Sequence, residues 1–162
     1  MATESGDRGR TEILLVCSTG GHLLQLVALR GAWEPFSRVW VTFDKSDARS
    51  LLTDEHVVHA FGPTNRNVTN LIRNLCLAWR VVGTLKPQVI LTTGAGVAVP
   101  FAWIGRLRGA RVVYVESITR IDRPSLSLRL IAPVTAKIYV QWPELVRAVR
   151  GSRYVGSIFD LR

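Results

Sequence analysis

The sequence predicts an α/β domain built on a doubly wound parallel sheet, and three features point that way. Short apolar runs alternate with segments of helical periodicity from Glu12 to Gly156, an alternation that implies parallel pairing through right-handed crossovers. Several of the runs are nearly unbroken Val, Ile and Leu, as strands are when helices cover both faces of the sheet. Glycine-rich loops follow two of the strands directly.

Taken in order, Glu12–Cys17 (EILLVC) reads as a strand and Ser18-Thr19-Gly20-Gly21 as its tight loop. Leu23, Leu26, Val27 and Arg30 then recur at helical spacing. Arg38–Thr42 is the second strand, Ser46–Leu52 a short helix, His56–Ala60 the third strand and Val68–Thr84 a long helix. Gln88–Thr92 (QVILT) follows as a strand, Thr93-Gly94-Ala95-Gly96 as its loop and Val97–Leu107 as a helix. The strand Arg111–Glu116 (RVVYVE), then Ser125–Ile131, Lys137–Val140 (KIYV), Pro143–Val149 and Tyr154–Gly156, continue the alternation. The result is a single Rossmann-like domain over residues 11–162, behind a polar leader, Met1–Arg10, that reads as disordered. The chain stops almost at its last strand, so no second domain is expected.

Composition agrees. The 162 residues suit one domain of about 100–200 residues, and 48% hydrophobic content with mean hydropathy +0.19 excludes a disordered chain. Cys17 and Cys76 lie in apolar runs without CxxC spacing, which argues against a metal site, a redox motif or a disulfide and for a reducing cytosol. His56 and His59 sit at odd spacing in a strand, so their side chains leave opposite faces and share no metal; no metal site is expected. No apolar run approaches the roughly 20 residues of a membrane-spanning helix.

The net charge is +9, and it is unevenly placed. Between Glu55 and Glu116 there is no acid, while Arg66, Arg73, Arg80, Lys86, Arg106, Arg108 and Arg111 are all basic. Such a stretch suits a nucleic acid, an anionic lipid surface or a phosphorylated substrate. Arg66, Arg73 and Arg80 recur at intervals of seven on the long helix, one stripe of a face that is either solvated or, with Trp79 nearby, laid on a membrane.

Ligands of an open parallel sheet bind at the carboxyl ends of its strands, so the residues that follow each strand come first. Ser18, Thr19, Gly20 and Gly21 form one loop, with Gly94 and Gly96 in another. Glycines opening a helix leave backbone N–H groups open to phosphate, and they also simply make tight turns. His22 falls in the first turn of its helix, where the dipole favours the neutral imidazole that a general base needs. Glu116 ends an apolar strand next to Ser117, either aimed into the crevice or paired with Arg120 or Arg123. Asp44 would hold a ribose in a dinucleotide fold, but S-T-G-G-H is not G-x-G-x-x-G.

The strings CSTGGHLLQL, LKPQVILTTGAGVAVP, VVYVESITR, YVQWPEL and YVGSIF, in this order and spacing, resemble one family. It comprises bacterial capsular and exopolysaccharide glycosyltransferase subunits of PssD/CpsF type and their eukaryotic relative, the membrane-anchored subunit of the two-part N-acetylglucosaminyltransferase acting on dolichol-pyrophosphate N-acetylglucosamine. The resemblance spans about residues 12–159.

It implies the N-terminal, acceptor-side half of a split GT-B enzyme, with a separate polypeptide holding the UDP-sugar and no cofactor in this chain. His22 and then Glu116 become candidate bases for inverting transfer to a polyprenyl-pyrophosphate-linked glycan of capsule or exopolysaccharide. Ser18, Thr19, Gly20, Gly21, Gly94, Gly96, Ser117 and Arg120 would line the acceptor and phosphate site. Gln141, Trp142, Pro143, Tyr154 and Phe159 would meet the donor-binding partner. The polar start of the chain makes the expected location the cytoplasmic membrane face, peripheral on anionic lipid, with no nucleic-acid partner. Two rivals remain: a scaffold that recruits a glycosyltransferase without catalysing, and a dinucleotide-binding oxidoreductase.

Overall fold

A computed structural model of the chain describes residues 11–64 and 67–159; the leader, Arg66 and the last three residues lie outside the described residues. Seven strands form one sheet: β1 (Ile13–Val16), β2 (Arg38–Phe43), β3 (Val57–Ala60), β4 (Val89–Thr92), β5 (Arg111–Val115), β6 (Lys137–Val140) and β7 (Ser152–Tyr154). Their order is β3-β2-β1-β4-β5-β6-β7, every pair parallel. The helices are α1 (Gly21–Ala28), α2 (Arg30–Trp33), α3 (Ser46–Leu51), α4 (Val68–Leu85), α5 (Ala98–Leu107), α6 (Leu126–Ile131) and α7 (Pro143–Ala148).

Sheet order positions the site. From β1 the chain winds outward to β2 and β3, then returns to lay β4 on the other side of β1 and winds the opposite way. The loops after β1 and β4 therefore diverge to opposite faces and leave a crevice between them. These are the two glycine-rich loops.

Strand alternation supplies two cores. Leu14 and Val16 of β1 join a cluster beneath α4, α5 and α6, and Ile13, Leu15 and Cys17 join the other cluster with Leu23, Leu26 and Trp33 of α1 and α2. Arg38 closes the second core: its guanidinium sits 4.8 Å over the Trp33 ring and pairs with Glu55 at 2.7 Å.

Two elements differ from expectation. The first helix breaks into α1 and α2 because the Trp33 indole N–H donates to the Leu26 carbonyl at 2.8 Å, the acceptor that a continuing helix would give to Arg30. The last strand is Ser152–Tyr154 rather than Tyr154–Gly156, since it is set by its ladder, Ile138 opposite Ser152 and Val140 opposite Tyr154, and not by any hydropathy of its own. The long helix buries a face that joins Leu77, Ala78, Val81 and Val82 to two asparagines. Asn70 and Asn74 are buried while Val68, Leu71, Ile72, Leu75 and Trp79 are exposed.

The two asparagines are held by the backbone that leaves β3. Asn74 accepts from the Phe61 N–H at 2.9 Å and donates to the Phe61 carbonyl at 2.8 Å, and Asn70 donates to the Pro63 carbonyl at 2.9 Å. A buried carbonyl or amide without a partner costs about 1–3 kcal/mol, so satisfying this turn outweighs burying more aliphatic surface.

Candidate functional site

The crevice has a volume of about 1780 Å³. Ser18, Thr19 and His22 form one wall from the first loop, Ala95 and Gly96 another from the second, and Ser117, Thr119, Arg120 and Ser125 a third. The lining also takes in apolar side chains, Phe61, Val68, Leu71, Val99, Leu126 and Leu130.

His22 is half-buried on the first of these walls. Its Nδ1 lies 2.7 Å from the Thr93 carbonyl oxygen; a carbonyl only accepts, so Nδ1 carries a proton and Nε2 is the ring nitrogen left to accept one. The Thr93 hydroxyl in turn donates to the His22 carbonyl at 2.7 Å. Gly94 follows at φ +100, and a Cβ there would strike the Tyr114 hydroxyl. At Gly96 a Cβ would come within 2.9 Å of the Thr64 hydroxyl. Glycine is needed at both positions, at Gly94 for backbone conformation and at Gly96 for close approach to the segment after β3.

In the first loop the Gly20 N–H is already committed, donating to an Asp47 carboxylate oxygen at 2.6 Å. A phosphate at this loop would have to use the first-turn N–H groups that follow it. Gly20, Gly21 and Gly94 shape the walls without lining the crevice.

Glu116 is corrected in two ways. Its side chain is fully buried and does not line the crevice, and no ion pair joins it to Arg120 or Arg123; Arg123 instead approaches Asp122 at 3.9 Å. One carboxylate oxygen accepts from the Ser117 N–H at 2.9 Å and the other from the Ser125 N–H at 2.8 Å. The carboxylate fastens both ends of the loop that carries Thr119 and Arg120. Ser125 itself caps α6, accepting from the Leu128 N–H at 3.1 Å.

Gln141 is corrected as well. Expected at a partner interface, it is 3% exposed, and its amide bridges inward to Gln25 Oε1 at 2.7 Å and the Glu116 carbonyl at 3.0 Å. Trp142 is half-buried with its indole N–H on the Ile118 carbonyl. Pro143, Tyr154 and Phe159 are exposed. All five lie away from the crevice lining.

Sequence reasoning missed Gln25, Thr93, Tyr114 and Ser125. Gln25 accepts from the Ile118 N–H at 2.9 Å and ties α1 to the loop after β5. A buried glutamine on an otherwise apolar helix face was the available signal. Burial pushes the Tyr114 phenol well above its usual range, and the nearby Glu116 carboxylate adds to the shift. The Arg49 guanidinium hydrogen-bonded to Asp44 holds that carboxyl below the usual range, so Asp44, on the crevice rim, is engaged by Arg49 at 2.7 Å. Among the described residues no cluster of three His, Cys, Asp or Glu side chains is placed to hold a metal ion, and no helix is long and apolar enough to cross a membrane.

The same architecture recurs in solved structures. MurG of Acinetobacter baumannii superposes with a TM-score of 0.71 at 16% identity, covering 89% of this chain and 45% of MurG. UDP-N-acetylglucosamine 2-epimerase of Rickettsia bellii gives 0.68 at 10% identity, covering 92% of this chain and 45% of the epimerase. This chain thus spans less than half the length of either, and the Rossmann-like fold expected, like one half of a GT-B enzyme, is the fold observed.

In sequence the chain is 29% identical to the UDP-N-acetylglucosamine transferase subunit ALG14 of Rattus norvegicus, over 90% of this chain and 82% of that one. The human subunit of the same name is 26% identical over 93% and 84%. These relatives are eukaryotic, and the part of the resemblance that pointed to bacterial capsule and exopolysaccharide enzymes has no counterpart among them. Residues 62–158 match the family described as oligosaccharide biosynthesis protein Alg14 like. A match over more than half the chain, including the loops after β4 and β5 that line the crevice, means that the protein belongs to the Alg14-like family.

Proposed function

We propose that this chain is the acceptor-side subunit of a two-polypeptide glycosyltransferase. The reaction would move a sugar, N-acetylglucosamine by the relatives' names, from UDP to a polyprenyl-pyrophosphate-linked acceptor. The observation that carries the reading is His22, whose Nδ1–H is spent on Thr93 so that Nε2 accepts a proton on the wall of a crevice lined by both polar and apolar groups.

Chemically, Nε2 takes the proton of the acceptor hydroxyl as that oxygen attacks the anomeric carbon from the face opposite UDP, inverting it. Arg120, exposed on the crevice wall and unpaired with any carboxylate among the described residues, is placed to meet the pyrophosphate. Ser18, Thr19 and Ser117 offer hydroxyls to the sugar, and Gly96 lets the second loop approach. Glu116 works through the loop it fastens, as a positioning residue. UDP leaves into the partner, and this half is assigned no cofactor and no metal.

The apolar part of the lining suits the first units of the lipid chain. It continues into the exposed stripe Val68, Leu71, Ile72, Leu75 and Trp79 of α4, whose spacing of three and four lays it along one line of the helix. With no acid between Glu55 and Glu116, that face fits a peripheral seat on an anionic membrane surface. The exposed Pro143, Tyr154 and Phe159 are the surface assigned to the partner, with aromatic residues the usual anchors of such contacts.

The test is reconstitution. Transfer from UDP-sugar to lipid-linked acceptor is expected only with the donor-binding subunit present, and the His22→Ala variant is expected to lose it. Turnover by the lone chain would refute the split enzyme; an unchanged His22→Ala rate in the complex would leave the chain a recruiting scaffold.

A further inference from the structure

At the end of the sheet opposite the crevice, a pocket of about 830 Å³ opens beside the carboxyl end of α4 and the amino ends of β4 and β5. Lys86, Gln88, Arg108 and Arg111 line it around Val82 and Pro87. Three of these are cations, all exposed, and among the described residues none is within ion-pair distance of a carboxylate. Glu12, whose backbone carbonyl accepts from the Gln88 N–H at 3.1 Å, turns its own carboxylate to the Ser37 N–H at 2.9 Å.

Two further features show that the cations are placed rather than merely present. Lys86 caps α4 in the left-handed region, φ 47 and ψ 53, where helices commonly use glycine; a lysine there carries strain that glycine would avoid. Arg108 lies against α4, its guanidinium carbon 4.2 Å from the Trp79 ring centroid and one nitrogen 3.3 Å from where a Cβ on Gly83 would stand. Trp79 belongs to the exposed apolar stripe of α4, so the pocket borders the face assigned to the membrane.

We propose that this pocket binds the phosphate of an acidic phospholipid headgroup. It rests on the membrane seat proposed above and adds a defined headgroup site to it. With α4 lying in the interface, Trp79 sits at headgroup depth, and a phosphate beside it meets Lys86, Arg108 and Arg111 together. The crevice then lies near one end of the helix and the headgroup anchor at the other, which fixes the rotation of the domain on the surface.

Co-sedimentation with phosphatidylcholine vesicles, with and without phosphatidylglycerol, tests this. Lys86→Gly removes the cation and the backbone strain together, so the fold is retained; Arg111→Gln is the second variant, and Arg80→Gln, an exposed α4 cation outside the pocket, is the charge-matched control. Each pocket variant is expected to lower the gain from acidic lipid by about five-fold, with Arg80→Gln changing it much less and binding to neutral vesicles unchanged in all three. Equal losses in all three variants would mean diffuse charge and overturn the pocket, as would no loss in the pocket variants. Failure of the native protein to bind either vesicle would overturn the membrane seat itself. A thermal midpoint raised by inorganic phosphate without lipid, together with no gain from acidic vesicles, would assign the pocket to a free anion and also overturn the proposal.

Discussion

His22 and Thr93 stand 71 residues apart and bond each other twice. The ring of one donates to the carbonyl of the other, and the hydroxyl of the second returns the bond to the backbone of the first. This pair straps the loop after β1 to the loop after β4 and selects the imidazole tautomer at once.

From that pair follows a graded expectation. His22→Ala should lower turnover of the reconstituted enzyme by about two to four orders of magnitude, the range for a positioned proton acceptor. Thr93→Val keeps the carbonyl that orients Nδ1 and loses only the hydroxyl bond, so stability should fall by about 1 kcal/mol and turnover far less than in His22→Ala. Rates for the two variants that match would show that the strap, not the imidazole, limits the reaction.

Alanine at two glycines should separate backbone strain from steric clash. At Gly20, φ +75 with open space around it, the loss should be about 1–2 kcal/mol from conformation alone. At Gly94 the φ of +100 is joined by collision with the Tyr114 hydroxyl, and a loss on the order of 2–4 kcal/mol is expected. Urea midpoints at constant m-value measure both; the reverse ranking would contradict the close approach at Gly94.

Glu116→Gln replaces one acceptor oxygen with a donor facing either the Ser117 or the Ser125 N–H. A destabilisation of about 1–3 kcal/mol is expected, together with faster proteolytic cleavage within residues 117–125. Turnover should fall in step with loop order. A variant of native stability and native proteolysis that has nevertheless lost activity would return Glu116 to a direct chemical role.

The two thiols should react very differently. Cys17 is buried, and that burial pushes its thiol up to about 12, whereas Cys76 is exposed on α4. Since the thiolate is the reactive form, a maleimide at neutral pH should label the folded protein once, at Cys76, and the unfolded protein twice. Mass spectrometry of labelled peptides reads this directly, and label on Cys17 under native conditions would contradict the packing of β1.

The kind and sequence of nearly every element was written in the chain itself. Strand period, helix period and glycine turns are local properties, so Gln88–Thr92 or Val97–Leu107 could be read without knowing their neighbours. So could the places of His22, Gly94 and Gly96, because ligands of an open α/β sheet bind at the carboxyl ends of its strands. Local pattern stops short of the strand order, however, and the order is what sets β1 against β4 and joins His22 to Thr93. It also brings Gln25 to Ile118 and Gln141, 93 and 116 residues away, turning an expected interface residue into a buried brace. Periodicity shows which residues of α4 share a face but not which face turns inward. Tertiary structure decided that Asn70 and Asn74 go in and Leu71, Leu75 and Trp79 stay out, because unpaired backbone groups at Phe61 and Pro63 would cost more than the aliphatic burial forgone. The same reason turned Glu116 away from the crevice: two loop N–H groups needed a buried acceptor, and the only way to learn that was to see the chain closed around it.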